Sequence, residues 1–430
     1  MNIISYPERK IWDSLCKRPS LDSSGLDSII SSIFDKVKKD GDRALSELSE
    51  KYDGAVFKNL RVPDSATGSA LESISSELRE AISIAGENIA KFHRAQLIKE
   101  KVVETTPGVN CWRKTVALDR VGLYIPGGTA PLFSTVLMLG IPAKIAGCRE
   151  VIICTPPDRT GNVNPLILYA AHYAGIKDIY RVGGAQAIAA MAFGTETIPK
   201  VDKIFGPGNQ YVTRAKERAQ IEGTPVDMPA GPSEVLIVAG KDANPSFIAA
   251  DLLSQAEHGS DSQVLLLSDN VELLKSAIKE TEKQSELLPR KNIALKSLEK
   301  SHFILFKTLY ECIEFSNHYA PEHLIISTED SHKLAEKVRN AGSVFLGKFS
   351  CESAGDYASG TNHTLPTGGF AKSIGGVSAE SFVKKITFQE ISSEGMRMIG
   401  PVIEKLADAE LLQGHKKAVT LRLNYLNKND

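Results

Sequence analysis

Apolar residues recur at helical spacing from Asp22 to Glu100. Ile29, Ile30, Ile33, Phe34 and Val37 form one stripe, and Leu71, Ile74, Leu78 and Ile82 form another. A Lys-Lys-Asp-Gly-Asp break at Lys38 to Asp42 separates two of these helices. After Pro107 the period changes. Val121 to Ile125 reads as a strand, Pro126-Gly127-Gly128 as a turn, Leu132 to Ala146 as a helix and Val151 to Cys154 as the next strand. The alternation continues with a helix near Leu166 to Ala174, the strand Ile179 to Val182, the helix Ala185 to Phe193, the strand Lys203 to Phe205, and a helix opened by Gly206-Pro207-Gly208. It then restarts. Val235 to Val238, Val264 to Leu267, Phe303 to Leu305, Leu324 to Ile326 and Val344 to Leu346 read as strands, with helices between them such as Ser246 to His258 and Leu309 to His318. Such alternation predicts mainly parallel sheets with helices on their faces.

The expected fold class is therefore α/β: two Rossmann-like lobes, a helical N-terminal region and a C-terminal helical tail. The expected boundaries are an N-terminal arm at 1–21, a first lobe built from 22–120 together with 234–376, a second lobe at 121–233, and the tail at 377–430. That tail reads as a Gly-rich loop followed by two amphipathic helices, Ser393 to Leu412 and Lys416 to Leu426, joined at Gly414-His415. With no sheet of their own, these helices are expected to pack on something else.

Composition narrows the partners. Charged residues make up 24% of the 430 positions and nearly cancel, to a formal net charge of -1, so nothing points to nucleic acid or to an acidic membrane surface. Pro7, Glu8, Arg9 and Lys10 interrupt the start where a secretory signal needs an apolar core, and no later segment has membrane-spanning length, so a cytoplasmic location is expected. The six cysteines include no CxxC pair, which leaves reduced, mostly buried thiols as the expectation.

Several constellations could carry chemistry. Three glycine turns, Pro126-Gly127-Gly128, Gly183-Gly184 and Gly206-Pro207-Gly208, each follow a strand and precede a helix, a setting suited to phosphate. Tyr124, Gln186 and Asn209 stand beside them, and the cluster favours a nucleotide site although none matches GxGxxG. Gln255 and His258 are three residues apart at a helix end, so both side chains could grip one ion. Further ligands must come from afar: Asp356 and His363 lie in the polar loop Gly355 to His363, and Glu410 and His415 at the junction of the terminal helices. Gln, His, Asp and His form a mixed O/N set that suits zinc or a similar divalent ion. Glu322-His323 places a carboxylate and an imidazole side by side, suited to two proton-transfer tasks.

Taken together, Val226 to Glu234 with its Asp-Met-Pro-Ala-Gly-Pro-Ser-Glu run, Asp251 to Gly259, Tyr124 to Gly128, Gly206 to Asn209, Ala320 to His323, Gly355 to Gly360 and Gly414-His415 resemble the histidinol dehydrogenase family over nearly the whole chain. The resemblance implies four-electron oxidation of L-histidinol to L-histidine through L-histidinal, with two NAD+ reduced, as the last step of histidine biosynthesis. It implies a homodimer of intertwined subunits with one Zn2+ per subunit, NAD+ on the lobe 121–233 and the tail reaching the partner subunit. By this match Gln255, His258, Asp356 and His415 are zinc ligands, and they also contact substrate. Ser233, His323, His363 and Glu410 are substrate contacts, Tyr124, Gln186 and Asn209 touch NAD+, and Glu322 and His323 are the catalytic acid/base pair. Two other readings stay open: a related zinc and NAD dehydrogenase of another small alcohol, and a non-catalytic nucleotide-binding protein.

Overall fold

The computed structural model describes residues 2–19, 25–98, 100–127, 131–229 and 231–428, so Gly128 of the first glycine turn and Ala230 of the central motif lie outside the described residues. The chain divides into two compact units, one of residues 1–96 and 118–382, the other of 97–117 and 383–430.

In the first unit six parallel strands form the larger sheet, in the order Ile3–Ser5, His302–Leu305, Gln263–Ser268, Glu234–Ala239, His323–Ser327 and Ser343–Leu346. Glu234–Ala239, Gln263–Ser268 and His323–Ser327 are buried at every position. Covered on both faces, they read as unbroken apolar runs rather than as alternating ones. Leu236, Val238, Leu265 and Leu324 pack on one side with Trp12 and Phe315. Val235, Ile237, Val264 and Leu266 pack on the other with Leu252 and Leu274. The N-terminal strand Ile3–Ser5 was not legible as a strand; it pairs with His302–Leu305 at the sheet edge.

The smaller sheet has four parallel strands, Asp178–Arg181, Glu150–Thr155, Arg120–Tyr124 and Lys203–Phe205. The helix Leu26–Asp53 covers one face with Gly184–Phe193, sharing Ile33, Phe34, Leu45, Ile188 and Met191. Ser76–Arg94 and Phe133–Ala146 cover the other, through Ile82, Ile89, Val136 and Leu139. The expected break between the first two helices falls at Gly41, whose φ of 51° and ψ of -130° interrupt the helical path. A side chain there would be strained.

The second unit corrects one expectation. Its helices Ser393–Ala409 and Gln413–Lys428 do have a sheet of their own unit, three antiparallel strands in the order Val383–Ile391, Val109–Ala117 and Val103–Thr106. Val383–Ile391 pairs with Val109–Ala117 at every one of its positions, and Phe388 stacks on Trp112 at 5.5 Å. The strand escaped notice because Lys384-Lys385 and Gln389-Glu390 break its alternation and most of it is exposed. Along Ser393–Ala409, Met398, Val402 and Leu406 are each more than half exposed and fall on one stripe, four residues apart. Among the described residues no helix is long and apolar enough to cross a membrane.

Candidate active site

The larger sheet brings the acid–imidazole pair to the start of two neighbouring strands. His323 opens His323–Ser327, and its register partner on the next strand is Val235, one residue after Glu234. The ring Nδ1 lies 3.0 Å from the Glu234 carbonyl oxygen, so it carries the proton and donates to it. That leaves Nε2, which is buried without a hydrogen-bond partner among the described residues, 3.6 Å from Asp356 Oδ1. The Glu234 amide meanwhile donates to Glu322 Oε2 at 2.8 Å. One peptide unit and its neighbour thus fix both side chains, and both are buried. Burial pushes the Glu322 carboxyl up to about 8. Burial opposes protonation of His323, but the charges of Glu322, Glu352 and Asp356 outweigh it and hold the imidazolium up to about 10.

Beside this pair, ligand atoms of His258, Glu352 and Asp356 all lie within 4.8 Å of one another. The helix expected to run to His258 ends at Ala256, with Glu257 as its C-cap and His258 in the following turn. Gln255 is on the buried side of the helix. Turned with its nitrogen toward Glu352, its carboxamide donates to Oε2 at 3.1 Å while its oxygen accepts from the Glu234 amide at 3.0 Å. The donor set fits a divalent cation. His258 reaches solvent on one side, but desolvation of its ring against the cluster lowers its pKa, favouring the neutral imidazole that a metal needs. Burial would raise Asp356, but His323, His363 and His258 around it bring its carboxyl below the ordinary value, so it stays ionised. Burial pushes Glu352 up to about 8, because this cluster accumulates negative charge with only imidazoles to answer it. A cation placed there would offset that charge.

His363 borders the same cluster. Its Nδ1 donates to the Asp356 carbonyl at 3.1 Å and its Nε2 accepts from Thr135 Oγ1 at 3.2 Å, so both nitrogens are engaged, and burial lowers its pKa. Ser233 directly precedes Glu234 and is partly buried. Glu410 and His415 belong to the other unit, where both are exposed: Glu410 caps the end of Ser393–Ala409 and His415 sits in the first turn of Gln413–Lys428.

Tyr124, Gln186 and Asn209 come together at the carboxyl end of the smaller sheet, lining a cavity of about 1720 Å³. That is roomier than the roughly 300–1,000 Å³ of a usual small-molecule pocket and suits a dinucleotide. Tyr124 is buried and its hydroxyl accepts from Gly184 N at 3.1 Å, the start of the helix Gly184–Phe193; burial raises this phenol to about 12. Asn209 caps the helix Gln210–Ile221, its Oδ1 accepting from Tyr211 N and Val212 N at 3.1 Å each. Asp227 in the central motif braces the turn at Gly206: it accepts from Gly206 N at 2.8 Å and pairs with buried Lys216, which donates to Gly206 O at 2.9 Å. Gly206 itself has φ 128°, and a Cβ there would strike the Tyr124 carbonyl.

Three residues of this site were not singled out from the sequence. Glu352 stands four residues before Asp356 on the helix Glu352–Tyr357, and that i,i+4 acid pair was its available signal. Glu234 acts through its backbone, which no residue type reveals. Arg18 donates to both Glu234 carboxylate oxygens, at 3.0 and 3.1 Å, and lies over the Tyr319 ring at 3.7 Å.

Comparison with known proteins gives the family. The family model for histidinol dehydrogenase matches residues 16–423. Histidinol dehydrogenase of Bacteroides thetaiotaomicron is 55% identical over 426 residues, spanning 99% of this chain and 100% of the relative. That of Bacteroides fragilis strain YCH46 is 54% identical over 428 residues and 100% of both chains. The crystal structure of histidinol dehydrogenase from Elizabethkingia anophelis matches with a TM-score of 0.98 at 53% identity, covering 99% of each chain. The chain belongs to the histidinol dehydrogenase family.

Proposed function

We propose that this protein oxidises L-histidinol to L-histidine through L-histidinal, using two NAD+ and one zinc ion per subunit, in a homodimer located in the cytoplasm. The observation that carries the reading is the placing of the His258, Glu352 and Asp356 ligand atoms beside a buried acid–imidazole pair. Gln255, with its carboxamide turned so that the oxygen rather than the nitrogen faces Glu352, would hold the zinc together with His258 and Asp356, and the tail of a second copy would supply His415 as a further ligand and Glu410 as a substrate contact. The exposed stripe Met398, Val402 and Leu406 supports such pairing, since an apolar face of this kind marks an interaction surface.

Zinc, when bound, would supply charge to orient and polarise the alcohol. NAD+ would accept the hydride. The remaining work falls to side chains of this chain. His323, locked by Nδ1, would take the alcohol proton at Nε2 in each oxidation once a bound cation offsets the Glu352 and Asp356 charges that otherwise keep the ring protonated. Glu322, made more basic than an ordinary carboxylate by burial, takes a proton from the water that adds to the aldehyde. His363 and Ser233 border the space for the imidazole and amine of the substrate, and Tyr124, Gln186 and Asn209 the space for the nucleotide.

A stopped assay counting NADH per histidinol consumed, with and without a chelator, tests this reading. Two equivalents, lost on chelation and regained with zinc, are expected. One equivalent, or indifference to the chelator, would overturn it; turnover of other small alcohols at equal rates would remove histidinol as the substrate.

A further inference from the structure

The nucleotide cavity contains a carboxylate, one of whose oxygens has no hydrogen-bond partner among the described residues. Asp53 ends the helix Leu26–Asp53, which Gly54 terminates in the left-handed region at φ 65°. Its Oδ2 is buried and has no hydrogen-bond partner, and burial alone raises its pKa to about 6. Asp53 lines the same cavity as Tyr124, Gln186 and Asn209, and its charge reaches the Tyr124 phenol. Gln186 Nε2, in the same wall, is also buried and unpartnered. Buried polar groups are nearly always hydrogen-bonded, so an unmatched acceptor and an unmatched donor in one cavity point to a ligand carrying hydroxyl donors and a polar acceptor. Lys51 and Arg159 in the wall offer counter-charge to a diphosphate.

We propose that Asp53 accepts hydrogen bonds from the hydroxyls of a ribose of the bound dinucleotide and so sets the preference for NAD+ over NADP+. The proposal rests on the reading that this cavity takes NAD+. A carboxylate can accept both hydroxyls of a vicinal diol, whereas a 2′-phosphate in the same place brings negative charge against the carboxylate itself. Dinucleotide-binding sheets commonly meet the ribose with an acidic residue from a strand end about twenty residues past the glycine turn. Here the acid comes from a helix packed on the sheet from the N-terminal region, so its role is invisible to any motif built on the strand-turn-helix spacing.

Calorimetric titration of the full-length protein with NAD+ and with NADP+ tests this, using wild type, Asp53→Asn and Asp53→Ala. Loss of charged hydrogen bonds is expected to weaken NAD+ binding about ten- to a hundredfold in both variants, with NADP+ affected less, so that the preference narrows by about tenfold. Nucleotide-free melting temperatures should hold or rise, because the substitution removes an unsatisfied buried carboxylate. Wild type that binds NAD+ together with variants that keep both affinities overturns the role of Asp53 alone. Wild type that binds neither nucleotide overturns the cavity's assignment as well.

Discussion

Glu234 holds His323 through its carbonyl at 3.0 Å, while its own side chain is held by Arg18. The same residue's amide anchors Glu322 at 2.8 Å, and Gly368 N donates to its carboxylate at 2.8 Å. The acid–imidazole pair is therefore positioned by a backbone whose side chain is clamped from the N-terminal arm. A catalytic group gains from such rigidity because sub-ångström misplacement is enough to slow the reaction.

Replacing Arg18 by Met should thus act at a distance. It leaves the Glu234 carboxylate, whose side chain is only 2% exposed, buried without its cation. Removing one partner of a buried pair costs about 3–5 kcal/mol; since Arg18 itself is one-fifth exposed, the lower end of that range is expected. Thermal unfolding should show a clear fall in Tm, and kcat should fall in the molecules that remain folded, while NAD+ affinity stays as it was. Unchanged Tm and kcat would show that the clamp is dispensable.

Glu322→Gln separates the two oxidations. If Glu322 activates water, histidinol should still be oxidised to the aldehyde level, while oxidation of added histidinal falls by about 10²–10⁴-fold, the usual scale of general base catalysis. Single-turnover assays started from each substrate measure the two steps independently. Equal losses in both would remove the water-activating role.

Much of the fold was open to sequence reading because its central strands are buried on both faces and so appear as runs such as Val235 to Val238 and Val264 to Leu267. The elements that escaped are those where burial does not impose a pattern. Ile3–Ser5 is a three-residue edge, and Val383–Ile391 carries two adjacent lysines on a largely exposed strand. The site divides along a similar line. Adjacent Glu322-His323 and the spaced pair Gln255 and His258 drew attention through residue type, whereas Glu352 looks like any glutamate opening a helix until its 1% exposure is known. Arg18 and Glu234 matter through contacts with residues far along the chain, and Asp53 shares its cavity with residues also distant in sequence; no local spacing encodes those.

His93 gives a pH dependence with a definite sign. It is fully buried; Nδ1 donates to Ile89 O at 2.8 Å, and Nε2 faces the Asn362 amide at 3.4 Å. Burial lowers its pKa below the ordinary 6.5. At acid pH the unfolded chain then binds a proton that the folded one refuses, so this contribution is complete above about pH 6.5 and is lost as pH falls from there toward the lower folded value. The melting temperature of wild type minus that of His93→Gln should accordingly shrink on acidification through this window. A constant difference from pH 7.5 to 5 would show that His93 does not titrate with unfolding.

The last prediction concerns the tail. His415 and Glu410 are exposed at the junction of two helices, the first of which leaves Met398, Val402 and Leu406 each more than half exposed. If the tail completes the site of a second copy, His258→Ala and His415→Ala chains should each be inactive alone, because each homodimer lacks one ligand at both sites. Mixing them after reversible dissociation produces heterodimers in which one site carries both lesions and the other carries neither. Statistical exchange makes half of the dimers mixed, so about a quarter of wild-type activity should return, with the zinc content of the mixture rising in step. Absence of recovery after exchange is verified by mass spectrometry of differently tagged chains would place His415 and His258 in the same subunit's site.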